Sequence, residues 1–528
     1  MGLPGGLNRE ADPLMVEPTQ SPDCLNVNFG PKGEIISRKG YTYYDDTCAG
    51  AAPGAGAHDA RALFSFHVTG GSEYIVSVCE TDNAGGAVSD IWAGIYGNAL
   101  ASSAHNIGPA TNYYNWHVAF AVLNNTMYLT SLSATGGHSF TGAAWADVTA
   151  TTFDGTPNRF PVARFLCTHH DRLWAGNILN AATRYPSRVY YSDALTPETW
   201  PASQFIDFDP NDGGEIMAMV PFGEALLVLK QHAVHLLTGK SEDSFQRYKV
   251  ESQIGTECPE GVAVQGGMAY FFDPNTGVWA FDGAQFTSLD PAIKNYMLGG
   301  MNRTNIYRAV VWVWDDRLYV SLPWGAAAYP NRTFVLELST GAWTEYDYGV
   351  QAVAVCSNNV LLGYGSRDLE SIQRLEYGHY DETTPAPART GSAIAAYCYT
   401  PWMMPQGLPH SKHRTVRLDT IWAAAGDFDM HLESYRDFLS ASPTITKTVN
   451  TDAGGMTWGA ALPAGSPWGT PTLWGAAFDS IIDRGTGWGN HRWRAIQYKF
   501  YIDGADESMQ LNYVHIVYSS LERVRGEP

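Results

Sequence analysis

Charge is scarce in this chain, and long apolar runs are missing. Only 16% of its 528 residues are Asp, Glu, Lys or Arg, against the usual quarter. No stretch approaches the roughly eighteen uninterrupted apolar residues of a membrane-crossing helix, so no membrane span is expected. Basic residues are rarer than acidic ones, 33 against 53, and the net charge is −20. A protein that grips DNA phosphates needs a basic surface, so this balance counts against a transcription factor or a nuclease. It does not count against a smooth conduit through which DNA slides without sticking. Cysteine is sparse. Cys24, Cys48, Cys79, Cys167, Cys258, Cys356 and Cys398 are scattered with no CxxC, which argues against a disulfide framework or a zinc ribbon. Buried reduced thiols are the expectation. Met1–Asp12 holds Gly, Pro and one Arg without an apolar h-region, and position 6 is Gly where a myristoylation signal needs Ser or Thr. Synthesis as a cytoplasmic product is therefore expected. HExxH, P-loop, GxSxG and Rossmann patterns are all missing.

Aromatic residues and glycine are plentiful, with 17 Trp, 29 Tyr and 53 Gly, and 45% of the chain is hydrophobic. This composition favours many short strands joined by tight turns around a sizeable core. A hairpin-like unit recurs: AVLNNTMYLT at Ala121–Thr130, VAVQGGMAYFF at Val262–Phe272, VWVWDDRLYVS at Val311–Ser321. The second residue of each turn pair serves as a marker: Gly71, Asn125, Asp171, Glu224, Gly267, Asp316 and Asn359. Successive markers lie 43 to 54 residues apart. Three residues beyond each lie Tyr74, Tyr128, Trp174, Leu227, Tyr270, Tyr319 and Leu362, all large and apolar or aromatic. Asn, Asp and Gly tolerate the positive φ of two-residue hairpin turns. A period of about 40–50 residues with four strands is that of a propeller blade.

The expected fold is all-β: a β-propeller of six or seven blades over 47–382, an N-terminal arm at 1–46, a linker at 383–392 and a C-terminal β-sandwich at 393–528. The arm is rich in Gly and Pro and could not form a core alone. Its strand-like Gly33–Tyr44 is a candidate to close the ring beside the last blade, because circular closure removes exposed edges. In the C-terminal part, Ile496, Tyr498, Phe500 and Ile502 would share one strand face. A Gly/Trp/Pro-rich excursion occupies about 451–491. There Trp458, Trp468, Trp474 and Trp488 are each followed by Gly, and this loop is the candidate subunit contact, since Trp anchors interfaces.

Candidate chemistry is thin. His169-His170-Asp171 sits on a predicted turn, and His232 and His235 lie in a strand-like run, where successive side chains face apart and residues three apart fall on opposite faces. His410 and His413 flank a Pro-rich turn, which suits the surface. Asp207, Asp209, Asp212 and Glu215 form an acidic patch, but a paired-carboxylate mechanism needs two such groups about 5–10 Å apart across a cleft. No catalytic residue, cofactor or metal is expected.

The opening GGLNREADPLMVEPTQSPDCLNVNFGPKGEIISRKGY resembles that of phage tail nozzle and tail-hub propeller proteins. The shared features are Gly5-Gly6-Leu7, Pro18, Ser21-Pro22-Asp23, Leu25-Asn26-Val27 and Arg38-Lys39-Gly40-Tyr41. Val189–Pro201 and Gly277–Phe286 also look like phrases of that group, and the likeness spans most of the chain. It implies a non-enzymatic structural protein of the virion tail: a ring subunit, typically one of six, at the distal end of a short tail. Such a ring docks on a tail adaptor or portal-proximal ring, carries fibres or spikes, and passes genomic DNA without sequence-specific binding. Two alternatives remain open from the residues: a receptor-binding propeller that grips host-surface glycan, and a propeller glycan hydrolase.

Overall fold

A computed structural model describes residues 3–12, 15–45, 58–81, 88–107, 117–132, 137–148, 160–180, 183–356, 359–363, 372–375, 378, 380–382, 391–404, 412–422, 429–439, 442–450, 457–458, 472–473, 481–485, 492–504 and 507–520. The chain is all-β and propeller-like, with one short α-helix among the described residues, Lys294–Gly300.

The repeat is real, and its turns are built as their residues require. The first two strands of each unit pair through the marked turn. In five units the turn has two residues: Asn124-Asn125, His170-Asp171, Gly223-Glu224, Gly266-Gly267 and Asp315-Asp316. All but Glu224 of these ten hold positive φ, the geometry whose twist matches that of the flanking strands. The first and last units turn more widely, between His67 and Glu73 and between Val355 and Val360.

Each hairpin grows into a four-stranded antiparallel sheet, and seven such sheets occur among the described residues. The first holds His58–His67, Glu73–Thr81, Val88–Ile95 and Ala101–Ile107; the second Ala119–Leu123, Thr126–Thr130, Gly137–Phe140 and Trp145–Val148. The seventh has Ala352–Val355, Val360–Gly363 and Ile372–Arg374, and takes its fourth strand, Thr42–Asp45, from the start of the chain. That narrows the expected closing segment to its last few residues. Ile35–Ser37, from the same stretch, pairs elsewhere, with Gln510-Leu511.

The sheets share apolar cores with their neighbours. Phe66, Val76 and Val78 pack on Met127, Leu129 and Phe140. Ala121 and Tyr128 pack on Leu166, Leu173 and Trp200, and Trp174 on Met219 and Leu226. The set returns on itself: Ala352, Ala354 and Leu361 of the seventh sheet pack on Ala60, Leu63 and Ile75 of the first.

The chain divides into two compact units that depart from the expected boundaries. One is Thr42–Phe334 with Tyr348–Leu375; the other is Met1–Tyr41, Val335–Asp347 and Glu376–Pro528. The expected arm is thus part of a folded unit in its own chain. Cys24–Leu25 joins Ala396–Tyr399, Ile496–Ile502, Asp429–Arg436 and Ile445–Asn450 in a five-stranded sheet. Val27–Phe29 and Ile35–Ser37 join Gln510–Ser520, His413–Trp422 and Ile481–Gly485 in a six-stranded one. Ile496, Tyr498, Phe500 and Ile502 are all buried, as alternation predicts. Trp422 meets Phe500 edge-on, ring centroids 6.1 Å apart.

Arg38 locks this unit. Its side chain is 1% exposed and forks onto Asp381 at 2.8 and 2.6 Å. It also reaches Asp347 at 3.0 Å and the Asn26 side-chain amide oxygen Oδ1 at 2.9 Å. Burial raises the Asp381 carboxyl, and Arg38 opposes that rise. The thiol expectation needs one correction. Cys24, Cys167, Cys258, Cys356 and Cys398 are free and buried, but Cys79 is disulfide-bonded. Among the described residues no helix is long and apolar enough to cross a membrane.

Candidate functional site

The acidic patch proves to be a set of ion pairs within the repeated-sheet unit. Asp207 accepts from Arg188 at 2.7 and 2.9 Å. Glu215 takes Arg184 at 3.1 and 2.6 Å. The buried Lys230 ammonium donates to Asp212 and to the carbonyls of Phe208 and Asp209. Partial burial pushes Asp212 up, but Lys230 and the Gly214 N–H outweigh it and hold the carboxyl below its usual range. Asp209 faces Lys249 at 3.3 Å.

The histidines fall in three different settings. His169 ends a strand and is buried; His170 takes the turn, and the two rings lie 3.9 Å apart. The turn brings together side chains that a straight strand would separate. Burial lowers His169 to about 4. His235 is 1% exposed, packs edge-on against Phe208 and is likewise lowered to about 4 by burial, while His232 is exposed. His413 corrects the surface expectation. It is fully buried on the strand His413–Trp422, between the Trp493 and Tyr518 rings at 5.3 and 5.5 Å. His410 lies outside the described residues, as do Trp468, Trp474 and Trp488. Trp458 lies in the strand Thr457–Trp458, which pairs with Thr472–Leu473.

The structure also assembles a cluster that sequence reasoning missed. His138 and Asp147 are directly opposed on neighbouring antiparallel strands of the second sheet. His105 comes from the fourth strand of the first sheet. Both imidazole Nδ1 atoms lie 2.9 Å from the same Asp147 oxygen. The three donor atoms all fall within 4.8 Å of one another. The His side chains are 25% and 14% exposed, and Asp147 is 70% exposed. Its slight burial raises the carboxyl, but the His138 and His105 rings together pull it below the usual range. Trp145 covers one side, 5.9 Å from the His105 ring and stacked on Phe140 at 4.5 Å. No motif announces this group. Its members lie 42 and 9 residues from Asp147 in sequence; strand pairing unites His138 with Asp147, and the approach of a different sheet brings His105.

Fold and site together define an all-β protein of repeated four-stranded sheets with one His–His–carboxylate cluster among the described residues. No protein family and no curated relative matches the sequence. Among solved structures, the extracellular domain of BT4673 from B. thetaiotaomicron matches at 10% identity and a TM-score of 0.30, over 64% of this chain and 40% of that one. The chain therefore spans less than half of that domain. YCF48 bound to D1 peptide matches at 8% identity and a TM-score of 0.35, over 69% of this chain and all of YCF48. These scores assign neither family nor activity.

Proposed function

We propose that the seven four-stranded sheets are the blades of one β-propeller, and that the five- and six-stranded sheets form a β-sandwich. The chain is then a structural subunit of the phage virion tail, in the distal nozzle or hub ring that extends or closes the DNA-ejection channel and anchors fibres or spikes. The observation that carries this reading is the opening phrase from Gly5 to Tyr41. Its likeness to tail nozzle and hub proteins extends to residues with structural work in this chain. Asn26 and Arg38 are buried and bonded to each other, and Leu25 and Val27 lie in paired strands. The packing of the last sheet on the first supports a closed ring of blades. The net charge of −20 suits a channel wall from which polyanionic DNA is repelled.

The partners of this reading are other copies of the chain, six in a ring, a tail adaptor or portal-proximal ring, and fibres or spikes. The test is native mass measurement of the purified chain with and without its adaptor. A six-copy ring is expected. A monomer or trimer that retains cell-surface glycan would overturn the reading in favour of a receptor-binding module. One observation favours that second reading: the Lys499 ammonium lies 5.3, 5.7 and 4.4 Å from the rings of Tyr397, Tyr399 and Tyr501, a half-exposed aromatic group on one sheet face.

A further inference from the structure

We infer that His105, His138 and Asp147 form a binding site for one divalent transition-metal ion, with zinc as the fitting occupant. The donor set is two imidazole nitrogens and one carboxylate oxygen. That combination suits zinc and its first-row neighbours and not calcium or magnesium, which take mostly oxygen ligands. The geometry is nearly in place. Four-coordinate zinc holds His nitrogen and carboxylate oxygen at about 2.0–2.2 Å, which puts adjacent donors about 3.3 Å apart. Here both Nδ1 atoms stand 2.9 Å from the Asp147 oxygen. The two nitrogen–oxygen gaps need to open by only a few tenths of an ångström, and all three donor atoms already lie within 4.8 Å of one another.

The surroundings fix two of the three ligands before any metal arrives. His138 and Asp147 are cross-strand partners on one face of the second sheet, so their side chains are neighbours by backbone register. The Trp145 ring, held against Phe140, flanks His105. Both rings are mostly covered, which limits their alternative rotamers, while the exposed Asp147 leaves the site open to solvent. Three protein ligands with an accessible fourth position is an open zinc arrangement. Water or a donor from another molecule would complete it.

The site joins different sheets. His105 belongs to the outermost strand of the first, and Asp147 to the outermost strand of the second. Ile107 and Trp145 of these strands already pack in the core the two sheets share, and an ion bound by both strands would clip the sheets together beside it. The consequence is metal-dependent stability, since a ligand that binds only the folded state raises the unfolding temperature.

The experiment uses the full chain, stripped with chelator, and zinc itself as the probe. Isothermal titration is expected to show one zinc equivalent that both His105→Gln and His138→Gln lose, and that Asp147→Asn weakens at least tenfold. Zinc should raise the unfolding temperature of the unsubstituted chain and leave that of the His variants unchanged. Asp147→Asn, at an exposed position, guards against a folding defect as the cause. Calcium at the same concentration should not bind there. If the stripped chain takes up no zinc, or if the substituted chains take up as much, the three residues are a hydrogen-bonded cluster only and the inference is overturned.

Discussion

At the scale of single residues, the strongest commitments are buried charges. Arg38 has no water to fall back on, and removing it strands the Asp381 carboxylate, whereas Asp347 is exposed and keeps its water. Breaking a buried pair by deleting one partner costs about 3–5 kcal/mol. Arg38→Met should therefore lower the urea midpoint by that much stability without changing the slope. Arg38→Met with Asp381→Leu should recover part of the loss, because the orphaned carboxylate is the larger penalty. His235 gives a pH signature. Burial lowers its folded pKa to about 4, against about 6.5 when unfolded. The unfolded chain thus takes the proton first. Stability from this ring is complete above pH about 6.5, falls as pH drops towards 4, and is lost below. The full shift corresponds to about 3 kcal/mol at about 1.36 kcal/mol per unit. In His235→Gln, denaturant midpoints measured from pH 7 to 4 should decline less steeply by that amount. An identical slope would show that the buried ring does not titrate differently on folding.

At the scale of elements, turn chemistry is what the sequence made legible. Asn-Asn, Gly-Gly and Asp-Asp pairs are local signals, and each fixes a hairpin without help from distant residues. Asp316 holds a φ of 58°, where a β-branched side chain is strained. Asp316→Val should destabilise by about 1–2 kcal/mol, and Asp316→Gly should be neutral or better, as read by thermal unfolding. The strands of the first 45 residues were not legible to the same degree. Their composition reads as an arm because each is only two to four residues long, with little apolar alternation of its own. Their partners are remote: the Met509 N–H donates to the Ser37 hydroxyl across 472 residues, and Ser21 donates to the Tyr399 carbonyl across 378. His105, His138 and Asp147 escaped for the same reason. Strand alternation gives the face on which each residue lies, but not which sheet will stand opposite.

At the scale of the molecule, neither compact unit is a single run of chain. One takes its residues from Met1–Tyr41, Val335–Asp347 and Glu376–Pro528, and the other begins at Thr42 and ends at Leu375 with a gap between. Cutting at the boundaries that composition suggests would remove strands from both. A fragment of residues 47–382 loses Thr42–Asp45 and leaves the Ile372–Arg374 edge of its last sheet unpaired. An unpaired edge invites association with other chains. A fragment of residues 393–528 loses Cys24–Leu25 from one sheet and Val27–Phe29 with Ile35–Ser37 from the other. It also loses Arg38, Asp347 and Asp381, the ion network built on the buried Arg38. Both fragments should therefore be soluble only in aggregated or loosely folded form, with no sharp thermal transition. A peptide of residues 1–45 added to the 393–528 fragment should restore little, since Asp347 and Asp381 are still missing. The intact chain should melt cooperatively and resist proteolysis at Thr42–Asp45. A stable, cooperatively folding 393–528 fragment would show that the early strands decorate the unit and do not build it.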